Sequence, residues 1–283
     1  MKITALGTGS AFCMDNHQSN FLISKDEKNL LVDCGGDIRH SLRKVGLTYK
    51  NIDGVYVSHA HADHTGGLEW LGFCTFFDPS IKEKPKLFAE RQFARQLWNE
   101  TLKGGMEGLE GIEARLDTYF DVNPVEQNSY FTWQDIKFDI VQAVHVSCKY
   151  SIVNSFGLMF TDTSLVYPLP EHPFGPGPGL VKRIYLTTDV QFCPETAIKA
   201  YYNEADIIIQ DCETVPFKTG VHANYIDLKT LSDAVKARMC LYHYQDNIVN
   251  EFDDWQKKAK DDGFMGFLKP GVVYEDGEVI IHT

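Results

Sequence analysis

No two of the seven cysteines stand in a C-x-x-C pair: Cys13, Cys34, Cys74, Cys148, Cys193, Cys212 and Cys240 are scattered and odd in number. That argues against a cysteine zinc site and a disulfide framework, and for free thiols in a reducing compartment. No stretch of the 283 residues approaches a membrane-spanning apolar run, and the opening MKITALGTGSAF has no basic region followed by a long apolar segment. A cytoplasmic protein with no membrane partner is expected. Lysine and arginine form no tract, and the formal net charge is -12. A long polyanion would therefore meet a repulsive average field, whereas a small charged substrate held by metal ions would need no basic patch. There is no internal repeat and no low-complexity linker, so one domain over residues 1–283 is expected.

What the chain does have is a run of short apolar segments punctuated by turn residues. KITALG, NFLIS and NLLVDCGG read as strands of a meander, followed by a helix in DIRHSLRKVG and a strand in DGVYVSHAH. LEWLGFCTFF and RQFARQLWNETLK read as helices, with DPSIKEKPKLFAE a loop entering a short strand. GGMEGLEGIEARLDTYFDV is a surface connection or a mobile lid. Further on, FTWQDIKFDIVQAVH suggests a hairpin ending at His145, and SFGLMFTD, KRIYLTTD, ADIIIQD and MCLYHY further strands. PLPEHPFGPGPGL is a loop by its prolines, IDLKTLSDAVKAR an amphipathic helix, and GFLKPGVVYEDGEVII a small terminal hairpin. Strands and helices in this order predict a layered α/β (α+β) fold.

The chemistry concentrates in VSHAHADHTGG, directly after an apolar strand. Two neighbouring histidines are commonly incidental, but three with an aspartate at a strand end point to a metal loop. His59 and His61 share one side of an extended segment, and the following turn brings round Asp63 and His64. Imidazole and carboxylate suit zinc, with manganese or iron as substitutes. A two-metal site needs ligands from elsewhere, and His145, Asp189 and His243 each close an apolar run. Singly each is an ordinary hydrogen-bonded turn or core residue; together they would converge on one edge of a packed sheet.

HAHADH, His145, the TTD ending at Asp189 and the LYH ending at His243 resemble the ligand series of the metallo-β-lactamase superfamily, and LGTGSAF and LLVDCGG are similar to its first strands. The resemblance spans nearly the whole chain. It implies a four-layer αβ/βα sandwich and two divalent metal ions, with zinc the first choice. It places His59, His61 and His145 on one metal and Asp63, His64 and His243 on the other, Asp189 bridging and Asp33 supporting the site. Within the superfamily, ADIIIQDCETVPFKTGVHANYIDLKTL is similar to the ribonuclease Z branch, although QDCET and HANY depart from its usual forms. By that likeness Asp211 orients His222, which donates a proton or binds phosphate, and Asp63, Asp211 and His222 form the catalytic group. Two cations sharing a water would supply hydroxide to attack a phosphodiester.

Ribonuclease Z grips transfer RNA with a basic arm, and this chain has no glycine-proline-basic segment of that kind. The nearest resemblance in function is to the anti-Pycsar enzymes, which hydrolyse cyclic mononucleotides, so a small cyclic nucleotide is the expected substrate and a homodimer the expected assembly. RNA is the second choice of partner, as in a transfer-RNA 3′-end endonuclease, and a hydrolase of thioesters, lactones or β-lactams would not need Asp211 and His222. A non-catalytic, metal-stabilised nucleotide-binding protein is the reading from another class. Phe73, Phe76, Phe77 and Tyr225 are candidates to stack on a base, with core packing as the plainer alternative.

Overall fold

The computed structural model describes residues 1–162, 182–196 and 198–281. PLPEHPFGPGPGL, read above as a loop, lies outside the described residues. Two large mixed sheets face one another. The first has the order Glu278–Val279, Gly271–Glu275, Lys2–Gly7, Asn20–Lys25, Lys28–Val32, Gly54–Tyr56, Lys86–Glu90, Asp121–Val125. The second runs Gly266–Phe267, Met239–Tyr242, Ile207–Asp211, Lys182–Leu186, Ile152–Asp162, Ile136–Ser147, Tyr130–Trp133. Each begins as an antiparallel meander and turns parallel where helices and longer connections carry the chain back.

Strand periodicity sorts the side chains. Ile207 and Ile209 join the core between the sheets, alongside Phe21, Val32 and Tyr242. Ile208, one residue out of phase, joins a second core with Ile198, Tyr202, Phe252 and Ala259, from the helices Ile198–Glu204 and Phe252–Asp261. The helices Ile38–Lys44 and Leu68–Phe77 bury Ile38, Leu42, Leu68 and Leu71 against the first sheet. This is the expected helix–sheet–sheet–helix layering. The sheets are tied together by Phe21 meeting Tyr242 edge-on at 5.0 Å and by the Tyr56 hydroxyl donating to the carbonyl of Phe156 at 2.7 Å. Among the described residues, no helix is long and apolar enough to cross a membrane.

Two local expectations are corrected. IDLKTLSDAVKAR is two short helices, Tyr225–Leu228 and Asp233–Lys236. Thr230 bonds back to the carbonyl of Asp227, and Ser232, in extended conformation, starts the second turn, so the polar segment between them breaks the helix. In the C-terminal segment, Gly266–Phe267 does not belong to the hairpin but extends the second sheet parallel to Met239–Tyr242. Gly271–Glu275 and Glu278–Val279 form the hairpin and join the first sheet. GGMEGLEGIEARLDTYFDV is the surface connection of the two alternatives, anchored by the buried Met106, Ala114, Leu116, Tyr119 and Phe120, with the Tyr119 hydroxyl donating to Met106 O.

Candidate metal centre

The parallel strands of both sheets end on the same edge, and their C-terminal ends carry the site. Lys28–Val32 runs into Asp33, Gly54–Tyr56 into Ser58 and His59, Lys182–Leu186 into Asp189, and Met239–Tyr242 into His243. Asp211 is the last residue of its strand. His145 sits in the long strand Ile136–Ser147 where the pairing with Ile152–Asp162 slips, between Val144 and Val146. Such a bulge leaves one residue out of the ladder and re-aims its side chain. The helix Ala62–Thr65 opens just after His61 and carries Asp63 and His64 inward.

All seven residues expected as ligands are brought together. His59, His61, His145 and Asp189 form one group of donors and Asp63, His64, Asp189 and His243 another, with Asp189 common to both; within each group the donor atoms lie within 4.8 Å of one another. In the first group His61 Nδ1 lies 3.1 Å from His59 Nε2 and 3.0 Å from His145 Nε2, while Asp189 Oδ2 is 3.7 and 3.6 Å from those two Nε2 atoms. In the second, His64 Nε2 is 3.2 Å from both Asp63 Oδ2 and Asp189 Oδ2, and His243 Nε2 is 3.5 Å from Asp63 Oδ2 and from Asp189 Oδ1.

The outer nitrogens settle what faces inward. Asp33 accepts the backbone N–H of Ser58 at 2.8 Å and its hydroxyl at 2.9 Å, so that hydroxyl in turn accepts from His59 Nδ1 at 3.0 Å. Asp33 also accepts from His64 Nδ1 at 2.8 Å, and Val221 O accepts from His145 Nδ1 at 3.0 Å. With Nδ1 protonated in each, the Nε2 lone pairs point at the cluster. Buried ring nitrogens and carboxylate oxygens therefore crowd together, and His64 Nε2 and Asp189 Oδ1 are buried with no hydrogen-bond partner. A divalent cation in each group would resolve this, and the nitrogen and carboxylate donors fit zinc, manganese or iron.

Electrostatics agree with that fit. Burial holds His59 well below the ordinary imidazole range and His145 down to about 4, so both are neutral donors. Burial works to raise Asp63 and Asp189, but the neighbouring histidines outweigh it and hold both carboxyls below their ordinary range. Burial likewise lowers His64 and His243, and Asp189 with its fellow carboxylates overcomes it, lifting both well above the usual value. That negative field is what a cation would answer.

Asp211 and His222 form the next layer. Asp211 is fully buried; its Oδ2 accepts from His222 Nδ1 and from the backbone N–H of Val190, both at 2.8 Å, and its Oδ1 lies 3.4 Å from His243 Nδ1. His222 keeps 17% of its side chain exposed, its ring 4.6 Å from that of His243 and 5.1 Å from that of His145. Burial lowers its pKa, and the Asp211 and Asp189 carboxylates more than restore it. Of the aromatic candidates, Tyr225 is buried among Trp255, Phe264 and Phe267, and Phe73 packs on Tyr119, whereas Phe76 and Phe77 touch one another and stay exposed.

Ser58, Thr187 and the Val221 carbonyl were missing from the sequence reading. Thr187, whose hydroxyl accepts from Asp211 N–H at 3.0 Å, stood in the quoted TTD and Ser58 in VSHAHADH; a backbone carbonyl leaves no mark in a sequence. Three side chains at the site also sit on left-handed backbone, Asp33 at φ 63°, Thr188 at 52° and His243 at 67°. Strain of this kind persists where surrounding structure enforces it, as the bond from His243 N–H to Thr8 O does here at 2.8 Å.

Known proteins share both the sheets and the sequence. The metallo-beta-lactamase fold protein YhfI from Bacillus subtilis superposes with a TM-score of 0.68 over 95% of this chain and 96% of its own, at 18% identity. The short form of human tRNase Z does so with a TM-score of 0.59 over 88% and 94%, also at 18% identity. Those two establish the metallo-β-lactamase fold. The anti-Pycsar protein Apyc1 of Paenibacillus harenae is 29% identical over 276 residues, covering 97% of this chain and 100% of that protein. The family profile for anti-Pycsar protein Apyc1 matches residues 1–274, and this chain belongs to that family.

Proposed function

We propose that this chain is a metal-dependent phosphodiesterase that opens a small cyclic nucleotide. The observation that carries the reading is the Asp211–His222 pair, buried at one end and accessible at the other, set against two metal-capable groups that share Asp189. Two divalent cations, zinc first, held by His59, His61 and His145 and by Asp63, His64 and His243 with Asp189 between, would supply an activated water and charge stabilisation on the phosphoryl oxygens. Asp33 holds His59 and His64 in the required tautomer. Asp63 belongs to both the metal set and the catalytic group, its carboxylate fixed beside His64 and His243.

Hydrolysis forms one bond from water oxygen to phosphorus and breaks one ester P–O bond, leaving an alkoxide that needs a proton. Asp211 occupies Nδ1 of His222, so Nε2 is the atom that delivers that proton. The small substrate is supported by family membership and by charge. Lys28, Lys50, Lys82, Lys84 and Lys86 do gather, but around a hollow at the opposite ends of the first sheet's strands. Three of them are paired, Lys28 with Asp53, Lys50 with Asp78 and Lys86 with Asp121. They offer no track leading RNA to the metal centre.

The test is an assay of metal-loaded protein on cyclic mononucleotides, cyclic dinucleotides, an aryl phosphodiester and precursor transfer RNA. Opening of a cyclic mononucleotide is expected; cleavage of the RNA alone would overturn the reading, and metal binding without hydrolysis would turn it into a nucleotide-binding protein. His222→Ala should lose about 10²- to 10⁴-fold in turnover with metal content retained. Loss of metal from that variant would remove the assigned role. The reading includes a homodimer, checked by light scattering; a mass staying at the 32.1 kDa of one chain would dismiss it.

A further inference from the structure

The loop that joins Asp211 to the helix Tyr225–Leu228 carries two groups of the site: Val221, whose carbonyl fixes the ring of His145, and His222. Its middle, residues 216–220, is exposed, so no apolar packing sets its shape. What the loop folds around is a carboxylate. Glu213 is 2% exposed, its Oε1 accepts from the Thr219 hydroxyl, and its Oε2 accepts from Thr219 N–H at 3.2 Å and from Asn224 Nδ2 at 3.1 Å. Its backbone is pinned as well, N–H to Ala223 O and carbonyl to Tyr225 N–H, both at 2.9 Å.

We propose that Glu213 is a positioning residue for catalysis: its buried carboxylate gathers Thr219 and Asn224, and so holds Val221 O on His145 and His222 in line with the metal-capable groups. This rests on the reading of His222 as the proton donor. Three donors converge on two oxygens, both N–H groups on Oε2 and the Thr219 hydroxyl on Oε1. A glutamine of the same shape would have to place its NH₂ toward that hydroxyl, turning it from donor to acceptor, and would replace charge-assisted bonds with weaker neutral ones. The adjoining Thr214 ties the same segment to the stretch after His243, its N–H and hydroxyl donating to Gln245 Oε1 at 2.7 and 2.8 Å. Glu213 thus closes the loop while Thr214 fastens its base.

The experiment compares Glu213→Gln, His222→Ala and the double variant, all metal-loaded, on two phosphodiesters. One has an alkyl leaving group that must be protonated; the other has a nitrophenyl group that departs as the anion. His222→Ala should lose about 100-fold or more in kcat on the alkyl ester and little on the aryl ester. Glu213→Gln should show the same selectivity, at least about tenfold on the alkyl ester with KM nearly unchanged, and add little in the double variant, because residues acting through one group are not additive. Amide exchange at Thr219 and Val221 should quicken in metal-free Glu213→Gln while exchange in the strand Met239–Tyr242 stays unchanged. Thr219→Val, which removes a partner from the exposed side, should move both readouts the same way by less, and serves if Glu213→Gln does not fold. Equal losses on both esters, additive losses, or unchanged exchange would each overturn the proposal. If His222→Ala itself shows no leaving-group selectivity, the proton-donor reading fails and the positioning role falls with it, while the exchange rates alone still report whether Glu213 holds the loop.

Discussion

At the scale of single residues, the centre depends on side chains that would touch no metal. Asp33 is the clearest case, since one carboxylate orients His64 directly and His59 through Ser58. Its left-handed backbone, φ 63°, is one that asparagine adopts readily, so Asp33→Asn isolates the carboxylate from the conformation. An amide cannot accept on both atoms. Metal affinity should fall about 10- to 100-fold, read by titration with a chromophoric chelator, while the fold survives. Unchanged affinity would show that packing alone fixes the two rings. The candidate histidines of HAHADH could be read in the sequence, because a metal loop concentrates residue types that are otherwise scattered, whereas Asp33 follows only from the superfamily resemblance. Glu213 could not, since nothing in CETVPFKTGVH marks its one acid as buried or shows that the loop folds around it.

At the scale of elements, the site depends on how neighbouring strands approach one another. Gly157 in the strand Ile152–Asp162 lies so close to the adjoining segment that an added Cβ would meet Thr187 O at 2.7 Å and Leu186 O at 2.8 Å. Those are backbone atoms two and three residues before Asp189, and they cannot turn aside. Gly157→Ala should therefore cost about 1–3 kcal/mol in stability and also lower metal occupancy by displacing Asp189. Denaturant unfolding together with metal analysis checks this; a stability loss with full occupancy would uncouple the strand from the ligand. The strands here were legible because their apolar runs are short and bounded by turn residues. The bulge that turns His145 inward was not, because a register slip arises between two strands and belongs to neither sequence. The break within IDLKTLSDAVKAR escaped notice for the opposite reason: helical periodicity persists across a local turn that Thr230 and Ser232 impose.

At the scale of the molecule, the candidate centre joins the two sheets. His59, His61, Asp63 and His64 follow a strand of the first sheet, while His145, Asp189 and His243 belong to the second. Bound cations would therefore clamp one edge of the sandwich and offset the charge of two buried aspartates, Asp63 and Asp189. Removing metal with a chelator should lower the Tm by on the order of 5 °C or more, following the free energy of ligand binding to the folded state, and restoring zinc should reverse it. Asp189→Ala, lacking the shared ligand, should show little of that response. An equal response in that variant would place the metal elsewhere.

The sequence by itself determined the layered fold, the candidate ligands at the strand ends and the acidic balance that disfavours a long polyanion. All three follow from residue type and local spacing, which a chain carries before it folds. Only the tertiary structure decided which nitrogen of each histidine faces the centre, how closely the donors of both groups approach Asp189, and that Glu213 closes the loop bearing His222. Those are contacts between residues from 6 to 180 positions apart, or between side chains and backbone carbonyls. Their geometry exists once the two sheets have packed face to face, because tautomer, register and distance are properties of neighbours in space.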